Sequence, residues 1–136
     1  MTDEVKAPLR RARFFAAAWG CFLLGVTSWP NPPVVETGGI PLDKLTHFFL
    51  YAIEAFLLYR AVGRRGRSGL AFGRVLAITG TMTLWGMVDE AHQEWIPGRR
   101  MDSEDLLADV SGACAGALLG GLSSRQGVRE TARSPA

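Results

Sequence analysis

Long uninterrupted apolar runs are missing from this chain: each apolar stretch falls a little short of the roughly 20 residues a bilayer helix needs. Cysteine is scarce too. Cys21 and Cys114 are spaced for neither a disulfide framework nor a metal motif, and they read as small apolar fillers. The two histidines, His47 and His92, cannot share one helix four residues apart. Although Asp43, His47, Asp89, Glu90 and His92 are possible ligands, no metal and no cofactor are expected. Internal repeats and low-complexity tracts are absent, and at a net charge of +2 no nucleic-acid partner is expected.

What the chain does have is uneven charge. A mean hydropathy of +0.12 suits an apolar soluble domain or a small membrane protein with charged loops, so distribution must decide. Four blocks nearly exclude charge. Block 14–29 holds no charged side chain; 45–62 is interrupted by His47, Glu54 and Arg60; 70–88 carries only Arg74; 106–122 carries only Asp109. Each block needs snorkelling or local bilayer thinning to span.

The loops point the same way. Lys6, Arg10, Arg11 and Arg13 precede the first block; Arg60, Arg64, Arg65, Arg67 and Arg74 surround the second connection; Arg125, Arg129 and Arg133 follow the fourth. Twelve of the fifteen basic residues therefore alternate onto one side, as cytoplasmic loops do. The other connections hold Lys44, Arg99 and Arg100 against Glu36, Asp43, Asp89, Glu90, Glu94, Asp102, Glu104 and Asp105. A soluble bundle gives no reason for that alternation.

The expected fold is thus an all-α, four-helix transmembrane bundle with both termini cytoplasmic. A basic N-terminus (1–13) leads into the four-span domain (14–122), and a flexible tail (123–136) follows. The sequence from Arg10 to Phe15 also resembles the start of a signal peptide, but the apolar run continues past Ala16, Ala17 and Ala18, so a retained anchor is the better reading.

On this topology three polar clusters meet at the extracytoplasmic surface: residues 43–47, 89–99 and 102–109. Asp43, His47, Tyr51 and Glu54 fall on one stripe of the second helix, with Glu54 about 10 Å deeper than His47. Asp105, Asp109, Gly112, Gly116 and Gly120 form a matching stripe on the fourth, where the glycines allow close helix approach. Ionisable groups at such depth are costly and are kept for pairing, transport or chemistry.

These residues carry a resemblance. Asp43-Lys44-Leu45-Thr46-His47-Phe48 with Tyr51, Asp89-Glu90 with Gln93, Pro97-Gly98-Arg99, and Asp105 with Gly112 and Gly116 are similar to the VanZ-like family of small bacterial membrane proteins, over about residues 42–116. The resemblance implies a multi-span envelope protein and, from the member that names the family, a link to resistance against the lipoglycopeptide teicoplanin. The chain departs from the pattern at Asp109, where Asn is usual.

Each candidate has two readings. Arg99 either clamps a phosphate or carboxylate bidentately or pairs with Asp102 or Asp105. His47 is either a general acid/base or an interhelical bond to Asp43, Asp89 or Glu90. Asp89 and Glu90 are a candidate base and its partner, but neighbours about 100° apart on a helix should not face one target. Lys44, Gln93 and Arg99 are the candidate substrate-binding residues, for an anionic lipid or cell-wall precursor. Asp43, Glu54, Asp105 and Asp109 are expected in a structural polar network, Glu54 against Thr79, Thr81 or Thr83, and Tyr51 as a packing residue. The alternative function is a scaffold whose polar network only locks the helices. The oligomeric state is not legible.

Overall fold

The computed structural model describes residues 3–32, 42–63 and 69–131, which form helices α1 (Asp3–Thr27), α2 (Leu42–Ala61), α3 (Gly69–Gln93) and α4 (Ser103–Thr131), with no strand among them. The all-α expectation holds. One boundary does not: the stretch from Ser123, expected as a flexible tail, is helical as far as Thr131. No proline interrupts it before Pro135, and the Ser123 and Ser124 hydroxyls donate back to the Gly120 carbonyl. The last tail residues, 132–136, lie outside the described residues, as do Glu36, Arg64, Arg65, Arg67 and Arg133 of the charge pattern.

Local chemistry sets the helix ends. Asp102 caps α4, its Oδ1 accepting the Glu104 amide at 2.8 Å, which satisfies one of the open donors of the first turn. At the end of α2, Gly63 takes a positive φ of 74°, the left-handed conformation that stops a helix cheaply. Beyond α3, Gly98 adopts φ 79° in a turn whose Pro97 carbonyl accepts the Asn31 amide at 2.9 Å. That bond ties the turn after α1 to the α3–α4 connection.

Helix α2 touches all three others, and its contact with α4 is the most extensive in the bundle. The reason is visible at two glycines: a Cβ on Gly112 or Gly116 would collide with the backbone carbonyls of Phe48 or Ala52. One turn on, a Cβ at Gly120 would sit 2.8 Å from the Tyr59 side chain. Small residues thus bring the two backbones into contact, with Ala113 and Ala117 fully buried alongside. Helix α3 closes on α4, whereas α1 leans on α2 and barely meets α3.

Around an apolar core that includes Leu23, Leu50, Ile78 and Met82, large apolar side chains also face outward and several ionisable groups face inward. Phe15, Phe22, Phe49, Leu76, Leu84, Val88, Leu107 and Leu119 are exposed, while Thr27, His47, Glu54, Asp89, Glu90, Gln93, Asp105 and Asp109 are buried. Among the described residues one helix is long and apolar enough to cross a membrane by itself, Ser103–Ser124, at mean hydropathy 1.5.

Gly116→Val should lower stability by about 3 kcal/mol, because the obstacle is backbone and cannot move aside. Gly80→Ala, which meets nothing within 4 Å, should be neutral or slightly stabilising. Thermal melts of the detergent-solubilised protein check the pair.

Candidate functional site

The α2 stripe supplies the first wall of the site. His47, Tyr51 and Glu54 are buried on one face of α2, and Asp105 and Asp109 are buried on the facing stripe of α4. The close α2–α4 approach therefore sets imidazole against carboxylate: His47 Nδ1 lies 3.0 Å from Asp109 Oδ1, and His47 Nε2 lies 3.8 Å from Asp105 Oδ2. The histidine's partner comes from α4, not from Asp43, Asp89 or Glu90.

Helix α3 contributes its last turn. Asp89 accepts from Thr27 Oγ1 at 2.9 Å and from Tyr51 Oη at 3.3 Å, joining α1, α2 and α3. Glu90 turns the other way, accepting the Gln93 amide at 3.0 Å and the Asp102 backbone amide at 2.8 Å. Adjacent residues thus serve different partners, as the 100° rotation requires. Tyr51 is more than packing, since its hydroxyl is a member of the network.

Lys44 and Arg99 are both engaged within the protein. Lys44 donates to Asp102 at 2.5 Å and to Asp105 at 2.8 Å, with Asp43 at 3.3 Å. Arg99 pairs with neither Asp102 nor Asp105; it donates to the carbonyls of Val26 at 2.9 Å and Trp29 at 3.3 Å, and to Gln93 Oε1 at 3.4 Å. A guanidinium there meets the open carbonyls at the end of α1, where positive charge is favourable.

Lys44 also sets the ionisation of its neighbours. Its hydrogen bond, followed by that of the Glu104 amide, holds the Asp102 carboxyl below its ordinary 3.8. Burial opposes the charge on Lys44, but hydrogen bonds to Asp102 and Asp105 outweigh it and raise the lysine above its ordinary 10.5. Burial likewise opposes Asp43, and its bonds with Lys44 outweigh it and leave that carboxyl low.

Asp43 joins the polar network at its rim, through Lys44 at 3.3 Å, with its side chain 65% exposed at the open first turn of α2. One expectation needs correction. Glu54 finds no hydroxyl. Thr81 and Thr83 donate to carbonyls of their own helix, Ala77 and Thr79, and Glu54 Oε2 and Thr79 Oγ1 are both buried without a hydrogen-bond partner among the described residues. Glu54 instead faces an apolar cavity of about 820 Å³ between α1, α2 and α3. Thr27, Asp102 and Arg100 were not singled out as site residues from sequence, since a hydroxyl at the end of an apolar block and a capping aspartate carry no distinctive local signal.

The three polar clusters converge on a second cavity of about 960 Å³ at one end of the bundle. His47, Gln93, Arg99, Arg100, Asp102 and Asp105 line it beside the apolar Val26, Trp29, Leu42 and Leu50. His47, Glu90 and Asp109, from three helices, also place possible ligand atoms within 4.8 Å of one another.

The sequence matches the family model described as VanZ/LLP1 over residues 7–123. Neither a curated protein nor a solved structure matches it.

Lys44→Met leaves Asp105 buried without its cation and should cost about 2 kcal/mol, less than a fully buried pair because the lysine is partly exposed. The lowered Asp102 contributes fully above about pH 4 and loses its contribution as pH falls through its folded value; the raised Lys44 contributes fully below about pH 10 and loses it as pH rises further. The deficit should therefore be flat from about pH 5 to 9 and shrink in acid, as thermal melts across pH would show. A deficit that changes around neutral pH would point to His47 as the controlling group.

Proposed function

The chain belongs to the VanZ/LLP1 family, and from that premise we propose a four-span protein of the bacterial cytoplasmic membrane, termini inside, whose polar end faces outward. There it binds the head group of an anionic envelope lipid or lipid-linked cell-wall intermediate. The observation that carries this reading is the 960 Å³ cavity, whose lining mixes charged and polar side chains with apolar ones. Such a wall suits an amphiphile, with the apolar residues meeting the start of a chain and a few polar groups fixing the head. Arg99, Arg100 and Gln93 border the cavity and would meet the head group, Arg99 and Gln93 by giving up bonds they now make within the protein.

In the catalytic form of this reading, His47 moves a proton. With Nδ1–H directed at Asp109, the Nε2 lone pair is on the Asp105 side, 3.8 Å from Oδ2 of a residue that lines the same cavity, so the ring could act as an oriented general base on a group bound between them; the tautomer follows from the Asp109 hydrogen bond. Asp89 and Glu90 hold the surrounding helices and do not reach a common target. A contribution to teicoplanin resistance would follow if the bound molecule were the cell-wall intermediate that such a drug engages.

A non-catalytic lock is the second reading, favoured by one observation: Lys44 and Arg99 are both bonded to groups of the protein itself. The two readings separate on abundance. If the site acts on a ligand, His47→Gln and Arg99→Lys should change envelope-lipid composition or teicoplanin susceptibility at wild-type membrane levels. A lock predicts that membrane abundance and melting temperature fall together with any phenotype.

Sidedness has its own check. In a background lacking Cys21 and Cys114, Glu94→Cys should react with a membrane-impermeant thiol reagent added outside intact spheroplasts. Labelling only after the cytoplasmic face is opened would sink the outward-facing site.

A further inference from the structure

The carboxylates at the polar end outnumber the cations that serve them. Lys44 is committed to Asp102 and Asp105, and Arg99 to two α1 carbonyls and Gln93. Asp89, Glu90 and Asp109 remain, all buried, and among the described residues His47 is the one basic side chain hydrogen-bonded to any of them. Three carboxylates in a low-dielectric interior cannot all stay ionised against a single imidazole.

Geometry narrows what balances them. His47, Glu90 and Asp109 each offer a ligand atom, all within 4.8 Å of one another, and the His47–Asp109 pair is already at 3.0 Å. Ligands about 2.1 Å from a common ion lie about 3 to 4 Å apart, depending on the angle. A small inward movement of one side chain would close the set. The second Asp109 oxygen, Oδ2, is fully enclosed and has no hydrogen-bond partner among the described residues. It faces Gly86, where a Cβ would come within 3.1 Å, and Gly86 lies one turn from Glu90 on the same side of α3. The orphaned oxygen is thus directed at the helix face that carries the third ligand. His47 also borders the 960 Å³ cavity, which supplies an entry path.

We propose that His47, Glu90 and Asp109 bind one first-row divalent transition-metal cation. One imidazole nitrogen with two carboxylate oxygens is a donor set suited to Zn²⁺, Mn²⁺ or Co²⁺; magnesium and calcium prefer all-oxygen shells and cuprous copper prefers sulfur. The ion offsets the charges of Glu90 and Asp109, and its remaining coordination positions lie next to His47, which borders the cavity. In the loaded site His47 is a ligand and not a base. The site itself does not rest on the head-group reading.

The test uses the full chain in detergent micelles, stripped with chelator and titrated with Co²⁺ followed by absorption in the visible range. Wild type should bind one Co²⁺ per chain, release it to Zn²⁺, and melt at a higher temperature when loaded. Even outer-shell partners of metal ligands are worth about 10- to 100-fold in affinity, so His47→Gln, Glu90→Gln and the near-isosteric Asp109→Asn should each weaken binding by at least about 10-fold. Glu54→Gln, on the other cavity, should leave it unchanged. Failure of wild type to retain Co²⁺ would overturn the proposal and leave protons as the balancing species; so would equal binding by wild type and all three ligand variants. Since wild type alone can overturn it, a variant that misfolds does not shield the idea. No lipid enters the titration, so its outcome and that of the head-group experiment are read separately.

Discussion

The backbone contact between α2 and α4 is the constraint on which the rest of the structure depends. Gly112 and Gly116 admit the carbonyls of Phe48 and Ala52, and that approach fixes the register of the two helices. One and two turns away on the same faces, it places Asp109 on His47 and Asp105 on Lys44. A larger residue at either glycine would separate not only two helices but the ion pairs that lie above the crossing.

Given that register, the polar end is a chain of bonds that changes helix at nearly every step. Thr27 of α1 reaches Asp89 of α3, which also takes Tyr51 of α2; Glu90 of α3 holds the amide of the α4 cap. Each bond satisfies a group whose burial would otherwise be costly, and most also join elements distant in sequence. Among the described residues three buried atoms go unsatisfied, and the two that belong to carboxylates, Glu54 Oε2 and Asp109 Oδ2, lie at different depths and in different surroundings. Glu54 borders a cavity of almost wholly apolar lining, whereas Asp109 lies among other carboxylates.

Much of this was readable in the residues. The four apolar blocks correspond to four helices, and the spacings of four along 105–120 identified the small-residue face of α4 because a helix repeats its faces at that interval. The convergence of the three clusters was also legible, since each borders an apolar block on one side of an alternating pattern. Partner choice was not. His47 bonds across to Asp109, and Arg99 bonds to carbonyls of α1; both pairings are fixed by rotation and offset between helices, which no single segment encodes. Backbone acceptors are invisible to a search for complementary side chains, which is why the carbonyls of Val26 and Trp29 were not anticipated. The extension of α4 to Thr131 was missed for a related reason: a polar, serine-rich composition marks the end of an apolar block, not the end of a helix.

The ties that hold the end of α1 all come from later in the chain. Thr27 is bonded to a residue 62 positions on, and the Trp29 and Val26 carbonyls to one 70 and 73 positions on. During synthesis, the first helix emerges long before any of these partners exists. Its C-terminal end cannot reach its final hydrogen bonding until α3 and the turn at Gly98 have been made, so although α1 can dock on α2 earlier through Trp19 and Arg13, its end is among the last parts to be fastened.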